Sequence, residues 1–119
     1  MSPLSHFVDF LLPVAMIIFG VLFAINPPSD INENYGFRTK RSMKSKEAWR
    51  FANTQLGKLW IILGIVSIIF IGIIKSTLNL TDDLVSMIGL FGTLFSIFIS
   101  LGIVEEELKL NFDKKNKLK

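Results

Sequence analysis

Few side chains in this 119-residue chain could make or break covalent bonds. Cysteine is absent and histidine occurs once, at His6. Residue types alone thus exclude disulfides, thiolate metal sites, cysteine nucleophiles and imidazole clusters. No carboxylate pair and no nucleophile beside a base stands at a spacing suited to acid–base or covalent catalysis. The chain therefore reads as a non-enzyme with no catalytic residue, no metal and no cofactor. One carboxylate stands apart. Asp9 lies in an apolar run, three residues after His6 and one helical turn before Pro13. A carboxylate within a membrane span marks a proton or ligand site by default. Near the outer end of a helix, where water reaches it, Asp9 reads more simply as a polar helix start.

Specific polar and aromatic chemistry gathers in one stretch, residues 26–57. Pro27 and Pro28 stop whatever helix precedes them. Asn32, Asn34 and Gly36 favour turns, so residues 31–43 are expected to form an ordered loop, with Tyr35 and Phe37 available as interfacial anchors. Ser45 is a good N-cap and Glu47 follows in the first turn, so a helix should start near Lys46 and run on. On it Trp49, Ala52, Asn53, Leu56 and Trp60 share one side, while Lys46, Arg50 and Lys58 fall largely on another, an amphipathic pattern. An amide on the apolar side needs a partner. Arg38, with five donors, is the expected clamp between loop and helix, alongside Thr39 and Asn32.

The elements that position this loop follow from hydropathy. Half of the residues are hydrophobic and eleven are Phe, more apolar surface than a soluble domain of this size could cover, so lipid is the expected solvent. Three runs are long enough to span it: residues 7–25, 58–75 and 84–104. The first lacks a preceding Lys or Arg and a small-residue cleavage site, and so reads as an uncleaved helix, not a signal peptide. In residues 59–74, twelve of sixteen positions are Leu, Ile, Val or Phe, contributing roughly −4 to −7 kcal/mol toward insertion. That stretch is only about 24 Å long as helix, which Trp60, Lys58 and Lys75 can extend by snorkelling. Residues 84–104 carry no charge and reach about 31 Å.

Twelve of the thirteen Lys and Arg lie in the first connection or the C-terminal tail, residues 105–119, and only Lys75 lies in the second connection. The net charge of +3 is thus a topological signal and not a nucleic-acid surface. The first connection and the tail are expected in the cytoplasm, the N-terminus outside. The fold class is an all-α, multi-pass cell-membrane protein forming one domain over residues 1–119. Small residues should hold the spans together: Ser86, Gly89, Thr93, Ser96 and Ser100 share one face of the third, opposite Phe91, Phe95 and Phe98. The second span offers Gly57, Gly64 and Ser67, and the first Gly20 and Ala24. The same residues would serve within a monomer or in a homo-oligomer.

The string Asn32-x-x-x-Gly36-Phe37-Arg38-Thr39, then Ser42, then Trp49, Ala52-Asn53 and Gly57, directly before an apolar span, resembles the signature of the SdpI family of bacterial integral membrane proteins. The resemblance covers about residues 26–65. It implies Asn32, Gly36, Arg38, Thr39, Ser42, Trp49, Asn53 and Gly57 as motif residues with a structural or partner-binding role. It also implies a relative of proteins that protect a producing bacterium from its own secreted toxic peptide. The founding member, which has more spans, is also a signalling protein that holds a transcriptional repressor at the membrane. Three expectations follow: immunity by binding a toxic peptide at the bilayer, a scaffold for a cytoplasmic regulator, or an accessory or transporter subunit.

Overall fold

The computed structural model describes residues 3–27 and 36–112. Its regular elements are helices: α1 (Pro3–Ile25), a single 3-10 turn (Ser42–Lys44), α2 (Lys46–Thr77) and α3 (Asp82–Asn111). All three α-helices are long and apolar enough to cross a membrane.

The helix expected near Lys46 starts there and runs on through the second span as one helix of 32 residues. Ser45, in extended conformation, starts it by accepting the Ala48 N–H at 3.0 Å, and Glu47 in the first turn meets the positive end of the helix dipole. Thr81 performs the same service for α3, accepting from the Leu84 N–H at 3.2 Å, with Asp82 and Asp83 in the first turn. Residues 78–81 are therefore a tight turn that lays α3 back against α2. In α1, Pro13 lies inside the helix and lacks the N–H that would bond the Asp9 carbonyl, a loss tolerated in lipid where neighbouring helices cover the freed group.

Lipid supplies no hydrophobic drive between helices, so close backbone approach must hold them. A Cβ on Gly20 would lie 2.7 Å from the Gly57 carbonyl oxygen, and one on Gly57 would lie 2.6 Å from both Gly20 O and Ala24 N. The α1–α2 crossing thus depends on two facing glycines, as the small-residue pattern suggested. On α3, Gly89, Thr93 and Ser100 are buried while Phe91, Phe95 and Phe98 remain more than 60% exposed. Those rings lie on the outer surface of the helix bundle. Trp60 of α2 donates its indole N–H to Ser100 Oγ at 2.9 Å, tying α2 to α3.

Candidate functional site

The signature residues meet at the start of α2. Phe37 is 3% exposed and packs with Ala48, Ala52, Leu56, Val104, Leu108 and Phe112. It is a core residue, not the interfacial anchor expected from sequence. Burying the ring drags its backbone out of water, and both polar groups of that residue then need partners. Asn53, itself fully buried, accepts the Phe37 N–H on Oδ1 at 2.7 Å and donates Nδ2 to the Trp49 carbonyl at 2.9 Å. Ser42 donates its hydroxyl to the Phe37 carbonyl at 2.7 Å. Thr39 and Ser42 close the turn reciprocally: Thr39 N–H donates to Ser42 Oγ at 2.9 Å and Ser42 N–H to Thr39 Oγ1 at 3.1 Å. Asparagine, with donor and acceptor on one short side chain, suits a position that must satisfy its own helix and the incoming loop together.

Gly36 is required twice over. Its φ of +104° is a conformation other residues rarely adopt. A Cβ there would also lie 2.8 Å from Asn53 Oδ1 and 2.9 Å from the Trp49 ring. Gly57, one turn beyond Asn53, makes the α1 contact already described. The structure thus brings together Gly36, Thr39, Ser42, Trp49, Asn53 and Gly57. Asn32 lies outside the described residues, as do Asn34 and Tyr35. Arg38 departs from expectation. Its side chain is exposed, and among the described residues it clamps nothing: the loop is tied by the Phe37 backbone, so the guanidinium is not needed for it. Neighbouring Arg41 instead reaches α3, with Nε 3.3 Å from Glu105 Oε1, and Gln55 donates to Glu107 at 2.7 Å.

A second polar cluster occupies the opposite end of the bundle. Asp9 is buried and not the water-reached helix start expected from sequence. Its Oδ2 lies 2.6 Å from Lys75 Nζ, with both side chains less than a tenth exposed. Ser86 donates its hydroxyl to Asp9 Oδ1. Lysine is a donor only, so His6 accepts from Lys75 on Nδ1, at 3.0 Å. The Phe10 ring centroid lies 5.7 Å from the same ammonium. All three helices contribute, and Lys75, read from sequence as a snorkelling end residue, is the missing partner. The serine donates to a carboxylate already neutralised by lysine, and His6 faces the lysine. The cluster is therefore arranged as a tie between helices and lacks the base–nucleophile order of covalent catalysis. Among the described residues no group of His, Asp and Glu is placed to hold a metal ion.

Fold and site together define a small helical multi-pass membrane protein with a loop-to-helix cap at one end and a buried ion pair at the other. The chain belongs to the SdpI/YfhL protein family, whose match takes in residues 29–104. It is similar to a Bacillus subtilis (strain 168) protein described as uncharacterized protein YfhL, 45% identical over 51 residues. Those residues are 43% of this chain and 46% of the relative, so the match spans about half of that protein's length. No solved structure matches the chain.

Proposed function

We propose that this protein gives tolerance to a secreted toxic peptide by binding it at the membrane. The cap end faces the cytoplasm, and the N-terminus and the turn at residues 78–81 face outside. The observation carrying the proposal is the family match across residues 29–104, which takes in most of the cap and the two helices following it. Orientation rests on the distribution of Lys and Arg. Asp9, Lys75, His6 and Ser86 are paired with one another at the outer end, while Leu4, Phe7, Val8 and Leu11 stay exposed on α1, an apolar surface that an amphipathic peptide can meet within the bilayer. Sensitive cells expressing the protein are expected to survive peptide doses that kill matched controls. Equal killing, with the protein present in the membrane, overturns the proposal.

A second reading, a scaffold for a cytoplasmic regulator, is favoured by the exposure of Arg38, Lys40, Lys44, Lys46, Arg50 and Lys58 at the cap end. Neutralising Lys40, Lys44 and Lys46 together is then expected to abolish recovery of that regulator with the membrane protein. Unchanged recovery removes the loop from that role.

A further inference from the structure

Beside the cap a groove of about 530 Å³ runs between α1 and α3, with α2 as its floor. Phe19 and Phe23 form one wall, Ile97 and Leu101 the other, and Leu56 and Trp60 the floor. The indole N–H of Trp60 is already engaged by Ser100, so its ring presents only apolar surface. At the cap end the lining passes to Gly36, Phe37, Arg38 and Thr39. Phe37 has both backbone groups satisfied by Asn53 and Ser42. Among the described residues, the polar side chains lining the groove are thus the exposed Arg38 and Thr39, whose hydroxyl oxygen accepts from Ser42 N–H and keeps its proton to donate. Among the described residues, no acidic one lines the groove. Its volume lies within the roughly 300–1,000 Å³ of ligand sites.

Such a site asks for a long apolar body with an anionic oxygen-rich head. We propose that an anionic phospholipid occupies it, one acyl chain lying along Trp60 between α1 and α3 and its phosphate held by Arg38 and Thr39. Charge and shape argue for this occupant together. Arginine presents parallel donors that match a phosphate, and the Phe, Ile and Leu walls offer no hydrogen-bond partner to a peptide backbone. Arg38, which the cap does not use, thereby acquires a role that needs the loop held rigid: the Asn53 and Ser42 bonds to Phe37 set the guanidinium beside the groove.

The test is native mass spectrometry of the whole protein in detergent with added phosphatidylglycerol or phosphatidylcholine of identical chains. Phosphatidylglycerol is expected to be retained preferentially. Arg38→Gln is expected to weaken its retention at least about tenfold, the loss corresponding to one charge-assisted hydrogen bond. Lys40→Gln, which removes a cation outside the lining, should leave retention nearly unchanged. Leu101→Trp, which fills the groove and keeps the charge, should also abolish preference, with an unchanged melting temperature showing that the protein is folded. Water-soluble glycerophosphoglycerol should fail to compete, because it lacks the chain that the groove binds. Equal retention of both lipids, or an equal loss in Arg38→Gln and Lys40→Gln, would overturn the proposal by reducing binding to diffuse surface charge. So would effective competition by the soluble headgroup.

Discussion

At the scale of single residues, the cap solves one problem: how to bury Phe37 without stranding the backbone polar groups on either side of its side chain. Asn53 and Ser42 each satisfy one of them. Removing a partner leaves a buried polar group unpaired, which costs about 1–3 kcal/mol. Asn53→Leu is therefore expected to lower stability by about that amount, seen as a fall in the unfolding midpoint in detergent. Arg38→Gln should leave the midpoint within about 0.5 kcal/mol, as usual for an exposed site. If Arg38→Gln proves as damaging as Asn53→Leu, the guanidinium and not the Phe37 backbone ties the loop to α2. The residue types of this site were legible in the sequence, and so was the need of Asn53 for a partner. The identity of that partner was not. A pattern of side chains contains no signal that a backbone N–H will be the group to satisfy, because that depends on which ring the loop buries.

At the scale of helices, Asp9 and Lys75 show how alternation of spans sets depth. α1 enters the bilayer where α2 leaves it and α3 re-enters, so the start of α1, the end of α2 and the start of α3 lie together. Opposite charges near the first two ends, with a serine one turn into the third, are a readable hint of a three-helix tie. Taken singly, each residue looked like an ordinary helix end. A charge in apolar surroundings without its partner costs about 2.5–3.5 kcal/mol. Asp9→Asn leaves Lys75 without its counter-ion and Lys75→Met leaves Asp9 without its own, so each should destabilise by about 2–3 kcal/mol. The double variant Asp9→Asn with Lys75→Met should cost well under the sum, because it leaves no unpaired charge behind and replacing a buried ion pair with uncharged residues is often nearly neutral. Additive losses in this double-mutant cycle, measured by thermal unfolding, would mean that the 2.6 Å contact carries no coupling. The facing of Gly20 and Gly57 belongs to this scale too. Small-residue spacing pointed to both, but only the crossing shows that each is in contact with the other's backbone.

For the whole molecule, the asymmetry of Lys and Arg predicts topology, and the absence of cysteine makes that prediction easy to examine. Asn79→Cys, in the exposed turn between α2 and α3, should react with a membrane-impermeant maleimide in intact cells. Lys44→Cys, beside the cap, should react only after permeabilisation. The reverse pattern would invert the orientation and move the proposed peptide-facing surface to the cytoplasmic leaflet.

Local composition and short spacing were enough to define three apolar stretches, the helix start at Lys46 and the family signature. The cost of placing peptide groups in lipid forces any such stretch into a helix regardless of its neighbours. Helix packing was needed to make Phe37 a core residue, to turn Arg38 toward a groove and away from Asn53, and to bury Asp9 against Lys75. Those outcomes join residues up to 77 positions apart, as in the Ser86 bond to Asp9. Hydrogen-bond and ion-pair partners are selected by distance after the helices pack, and that distance is a property of the crossing and not of any one helix.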